Sequence, residues 1–300
     1  MERLIFSGHD TFTCKHSWLK KGYDFLNTGH SFTDADAVVK LGVGKNMVTA
    51  IRYWLRSFGL TDESDTLQEE AHLFLSTDEG YDPYIEDNAT LYYLHYLLVK
   101  TNRASLYSIV FNELRKESFG FSRKHLQQFV VRKCEEVGAP LVNDNTLDTD
   151  ITVFVRSYSA SNRSKPDVEE DSTGLLQDLS LLSVDRTTER VDNKETSIEW
   201  YRLENQERND IPWQVVLMII LDNPTWGEVI SFRDLEAAPN SPGLVFALNE
   251  KGLYYKIEEM IERYPKDIVY SSTAGNRVLT IKKDRVQLAE VMQEYYGQTV

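Results

Sequence analysis

Cysteine is almost absent from this 300-residue sequence, which carries only Cys14 and Cys134. Two such thiols give neither a disulfide framework nor the paired spacing of a zinc site. Long apolar runs are missing as well. The longest covers 213–221 and is broken by Gln214, far short of the roughly 20 residues a membrane helix needs. The opening Met1, Glu2 and Arg3 lead into sequence without a signal-peptide apolar core, so the expected compartment is the cytoplasm, with no membrane partner. Basic charge is scarce, 33 Lys and Arg against 47 Asp and Glu for a net charge of −14. That balance argues against a protein that coats nucleic acid, because like charges repel the phosphate backbone. Common catalytic signatures are absent too: no His-Glu-x-x-His, Cys-x-x-Cys, Gly-x-Ser-x-Gly or Gly-x-Gly-x-x-Gly. Gly42, Gly44 and Lys45 lack the glycine spacing and the following hydroxyl of a phosphate loop.

What is present is a folded chain, with 41% apolar and 11% aromatic residues. Its charge is uneven. Residues 1–62 hold eight Lys/Arg against six Asp/Glu, a balance of +2, while the remainder holds 25 against 41, a balance of −16. Contact with DNA is therefore expected in the first sixty residues. A polar, turn-rich stretch over 161–173 reads as a linker. It divides a helical domain, 1–160, from a mixed domain, 174–300. A second polar stretch, 185–197, shows no helical periodicity.

The fold class read from these patterns is mainly α with small β-hairpins (α+β), built from tandem helix-turn-helix and winged-helix-like domains. Apolar spacing predicts helices over 16–26, 88–99, 104–116 and 123–137, the last capped by Ser122. Leu147, Ile151, Phe154 and Tyr158 mark another. In the second half, helices are predicted over 211–222, 232–237, 249–264 and 284–296. Strands over 267–271 and 277–282 would be joined by a bend containing Gly275 and Asn276. Helix, helix, hairpin in that order outlines a winged helix.

The most informative window is 34–58. A short helix starting after Thr33, a Gly-Val-Gly turn and a longer helix from Lys45 fit a helix-turn-helix. Val48, Ile51, Leu55 and Phe58 would face the core. Lys45, Thr49, Arg52 and Arg56 would form a neighbouring stripe, with Asn46 near the helix start. Lys and Arg bind phosphates, and Asn and Arg read base edges. A structural helix pair with a solvated basic face would have the same pattern. Near the N-terminus, Ser7, His9 and Asp10 lie between Phe6 and Phe12. His9 and Asp10 are the compact candidates for acid/base or metal chemistry. The alternative is a hydrogen-bonded plug with both aromatics buried. His95, among Leu94, Tyr96 and Leu97, reads as a core or interface histidine.

Three phrases add a resemblance: Phe6-Ser7-Gly8-His9-Asp10-Thr11-Phe12, Trp18-Leu19-Lys20-Lys21-Gly22, and Leu41-Gly42-Val43-Gly44-Lys45-Asn46-Met47 followed by Ile51-Arg52-Tyr53-Trp54. They resemble a bacterial family first labelled a domain of unknown function. The segments 146–150, 241–246 and 273–275 continue the likeness, so it spans nearly the whole chain. The resemblance implies a DNA-nicking component of a single-strand DNA phosphorothioation system that supports phage defence. Its implied partners are DNA and the cysteine desulfurase, ATPase and sulfur-transfer proteins of that system. Nicking would call for Mg²⁺ held on carboxylates, to activate water and stabilise charge on the phosphate. The competing reading is a non-catalytic winged-helix transcription factor or adaptor.

Overall fold

A computed structural model describes residues 4–159, 174–191, 194–273 and 275–297. The expected linker, 161–173, lies outside the described residues, as does Ala274 in the expected bend. About half of the chain is helical, with two small antiparallel three-stranded sheets, an α+β architecture. Among the described residues, no helix is long and apolar enough to cross a membrane.

The first helices are α1 (Trp18–Asn27), α2 (Ala37–Leu41), α3 (Lys45–Ser57) and α4 (Glu69–Leu75). The short helix does not begin after Thr33. Ser31 N–H bonds the Asp34 carboxylate at 3.0 Å, and the Ser31 hydroxyl meets that of Thr33 at 2.8 Å. These local bonds offer the backbone a turn in place of a helix, and α2 starts at Ala37. It stops at Gly42, whose φ of +63° is left-handed backbone that glycine enters without strain.

The buried centre is α5 (Asn88–Thr101), on which 11 of 14 residues are buried. A helix apolar on all sides has to be surrounded, and this one packs against later elements. Its Asp87 cap accepts from Ala89 N–H at 2.7 Å. The segment after it is not one regular helix: α6 (Ser105–Ile109) and α7 (Arg115–Glu117) flank a π-helical stretch, Val110–Leu114. Then come β1 (Gly120–Ser122), α8 (Arg123–Val137) and α9 (Asp144–Tyr158). Ser122 caps α8 as expected, and the His125 side chain completes the reciprocal box.

In the polar stretch without helical periodicity, residues 185–191 and 194–197 are strand. They belong to a long hairpin, β2 (Ser183–Val191) with β3 (Lys194–Arg202), and β3 also pairs β1. The chain continues through α10 (Trp213–Asp222), β4 (Val229–Ser231), α11 (Phe232–Ala237), α12 (Pro242–Val245) and α13 (Glu250–Arg263). It ends on β5 (Ile268–Thr273), β6 (Asn276–Ile281) and α14 (Leu288–Gly297), with strand order β4-β6-β5.

Several buried or half-buried polar groups join early elements to late ones. His95 Nε2 donates to Val245 O at 2.8 Å, while its Nδ1 accepts from the Tyr158 hydroxyl at 2.9 Å. Burial pushes this imidazole down to about 3, so it is a neutral clasp and not a proton carrier. Lys100 reaches Asp222 at 2.6 Å, and the Thr90 and Tyr296 hydroxyls meet at 2.9 Å.

Candidate functional site

The α2–α3 turn places its exposed groups in a row. Val48, Ile51, Leu55 and Phe58 are all buried, which turns the other side of α3 outward. Lys45, Asn46 and Thr49 are exposed there. Among the described residues Lys45 has no ion-pair partner, and Gly44 supplies no side-chain cap. The first amides of α3 are therefore left for water or an anion, at the positive end of the helix dipole.

Arg52 and Arg56 lie further along the same helix but have another occupation. Both guanidinium groups close on Asp65, with contacts of 2.7 Å from Arg52 Nη2 and 2.7 Å from Arg56 Nη2. Arg56 also donates to Glu63 O at 2.7 Å. The Asp65 side chain is only 11% exposed, and its backbone is left-handed at φ +64°. The two arginines hold the 62–66 loop in place. Their charge is largely answered within the protein.

Behind α3 sits the N-terminal knot. Ser7, Gly8, Asp10 and Thr11 all have positive φ, an expensive backbone that persists only where its surroundings fix it. Gly8 is required twice, by its φ of +106° and because a Cβ there would lie 2.6 Å from the Tyr53 ring. His9 is buried, stacked on Trp54 at 6.2 Å and edge-on to Tyr53 at 5.5 Å. Its Nδ1 accepts from Thr11 N–H at 3.3 Å. The hydrogen is thereby placed on Nε2, which donates to Asp150 Oδ1 at 2.9 Å. Asp150 further accepts Ser7 N–H at 2.9 Å. Burial pushes the nearby Tyr53 phenol well above its ordinary range, and the Asp150 carboxylate adds to this.

His9 and Asp10 are not brought together. His9 faces Asp150 inside, whereas Asp10 is exposed. Phe6 and Phe12 are half-buried, not buried, and the Phe12 carbonyl accepts from Trp54 Nε1 at 3.1 Å. Sequence reasoning missed Asp150 as the partner, since 141 residues separate it from His9. Among the described residues no three His, Cys, Asp or Glu side chains converge as a metal site.

These features define a class of protein: an α+β chain whose first half presents an uncapped, exposed helix start on a buttressed helix pair. The chain belongs to the family described as Protein of unknown function (DUF4007), which matches residues 6–296. It is similar to a crystal structure of magnesium ion-bound SspB, with 25% identity and a TM-score of 0.81. That likeness covers 98% of this chain and 88% of the SspB chain. A second SspB crystal structure matches with the same identity and coverage and a TM-score of 0.79. Comparison with curated proteins finds no match.

Proposed function

We propose that this chain is the DNA-engaging component of a bacterial phosphorothioation system for phage defence, and that it nicks one DNA strand. The observation that carries the reading is the likeness to SspB over 98% of the chain. In this proposal residues 1–160 form the DNA-binding domain. The α2–α3 pair is its helix-turn-helix, with Lys45, Asn46 and Thr49 at the DNA and Arg52 and Arg56 bordering them. Residues 174–300 form a second domain of winged-helix type, since α10, β4, α11, α13 and the β5–β6 hairpin follow that order. Its acidic surface suits a protein partner of the same system, such as the cysteine desulfurase, ATPase or sulfur-transfer protein. The expected compartment is the cytoplasm.

Mg²⁺ is the proposed cofactor, and when bound it would activate water and neutralise charge on the phosphate. With no convergent ligand set among the described residues, no step is assigned to the metal. Asp10 is an exposed carboxylate. His9 supports α3 from behind, because both its ring nitrogens are engaged. That engagement favours a second reading, a non-catalytic DNA-binding adaptor.

Supercoiled plasmid incubated with the protein and Mg²⁺, with and without chelator, separates the two readings. Nicking gives open circles only in the chelator-free reaction. A mobility shift without open circles establishes the adaptor. In the same assay His9→Ala is expected to lower stability by about 1–3 kcal/mol by leaving Asp150 underbonded, with nicking per folded molecule unchanged. Loss of nicking at unchanged melting temperature would instead make His9 catalytic.

A further inference from the structure

A cavity of about 750 Å³ opens between α1, α2 and the loop carrying Tyr84. Its size falls within the range of small-ligand sites, about 300–1,000 Å³, with room for a nucleotide. The lysines, histidines and carboxylates of the lining are unusual for a chain of net charge −14: His16, Lys20, Lys21, His30 and Lys40, with Asp24 as the one carboxylate. Tyr84 stands at the wall and is 61% exposed.

The lysines differ in what they can offer. Lys20 is buried and committed, 2.5 Å from Asp24 and 2.7 Å from the Thr77 hydroxyl, with its ammonium over the Tyr84 ring at 5.9 Å. It fixes the wall. Lys21 donates to Leu41 O at 3.2 Å, leaving two of its three donors. Lys40 contacts Asp36 at 3.0 Å and His30 Nδ1 at 3.3 Å. His16 lies 3.7 Å from Asp178. The side chains of Asp24, Asp36 and Asp178 are each more than half exposed, so water screens these carboxylates. Lysine ammoniums are compact donors suited to phosphoryl oxygens. An exposed aromatic face accepts any base by stacking.

Position adds to chemistry. Lys40 and Leu41 line the cavity, and the 42–44 turn then leads directly to exposed Lys45 and Asn46. We propose that this cavity binds the phosphate of a nucleotide, with Lys21 and Lys40 on its oxygens and Tyr84 stacked on its base. The nucleotide has two sources, a free mononucleotide or the 5′-phosphorylated end of a DNA strand. Only the second rests on the DNA-engaging function proposed above.

Calorimetry on the full chain with dTMP, thymidine and inorganic phosphate tests the chemistry. Anisotropy with labelled oligothymidine bearing a 5′-phosphate or a 5′-hydroxyl separates the sources. Phosphate-dependent binding is expected in at least one arm, with thymidine at least tenfold weaker than dTMP where dTMP binds. Lys21→Gln with Lys40→Gln should weaken that arm at least tenfold. Tyr84→Ala, which removes an exposed ring, should weaken the nucleotide and leave inorganic phosphate unchanged. Lys45→Glu should spare dTMP. Binding of dTMP in a chain that ignores duplex DNA keeps the cavity and removes the DNA reading. Duplex binding with no effect of a 5′-phosphate and no dTMP binding overturns the cavity, as does equal affinity for thymidine and dTMP.

Discussion

Two units of this chain each set a short helix ahead of a longer one, across a turn in the first and across α12 in the second, and they differ in what surrounds their unpaired cations. In 37–57, Lys45 stands exposed beside Asn46 and Thr49 at an uncapped helix start. In 232–285 most cations are tied to the protein. Arg277 pairs Glu236 and Glu250 and lies over the Phe232 ring at 4.2 Å. Lys251 binds Glu207 at 2.7 Å, Lys282 binds Asp267 at 3.3 Å, and Lys283 donates to Trp226 O at 2.9 Å. Arg233, Lys266 and Arg285 are exposed without an ion pair among the described residues, but α13 turns Glu258, Glu259 and Glu262 to solvent. The comparison teaches that a helix pair specifies a shape, and that free charge decides whether the shape suits a phosphate backbone.

The largest effect should come from reversing the free charge. Lys45→Glu with Asn46→Ala and Thr49→Ala is expected to weaken duplex DNA binding about a hundredfold, and to reduce the salt slope by about 1. Anisotropy titrations at several salt concentrations measure both. Since Lys251→Glu on α13 should change little, comparable losses from the two helices would break the comparison.

A smaller effect, of a different kind, is expected at Arg56. Its removal leaves Asp65, 11% exposed, with one guanidinium in place of two. Arg56→Ala should therefore cost about 1–2 kcal/mol of stability, read from the urea midpoint, with the salt slope unchanged. A normal midpoint with a shallower salt slope would return Arg56 to the DNA interface.

Legibility followed the range of the interaction. The buried stripe of α3, the Ser122 cap and the β5–β6 hairpin were readable because each depends on residues a few positions apart. The β2–β3 hairpin was not. Asp185, Arg186, Thr187 and Thr188 are all exposed, so one arm lacks the alternation by which a strand is recognised. The stripe of Lys45, Thr49, Arg52 and Arg56 lies on one helix, as its spacing implies. Its division into free and paired charges was hidden, because Asp65 returns to Arg52 and Arg56 through a loop whose course no periodicity encodes. Asp150 is the extreme case, a carboxylate on α9 that satisfies His9 and Ser7 across 141 and 143 residues.

The smallest effect is expected at Arg277, and it tests the other half of the comparison. Winged helices commonly lay the wing along the DNA backbone, and Arg277 lies on β6 beside the β5–β6 turn. Its guanidinium, however, already bridges two carboxylates over an aromatic face. Burial raises the Glu236 carboxyl from its ordinary value, while the Arg277 charge pulls it back down. Removing the arginine would thus let Glu236 hold its proton to a higher pH. Arg277→Ala should change duplex affinity by less than about twofold, as for a group not in contact with phosphate. Its clearer signature would be a Glu236 titration moved upward, seen by carboxyl NMR. A tenfold loss of affinity with a shallower salt slope would make the wing a second DNA contact and place both units on the duplex.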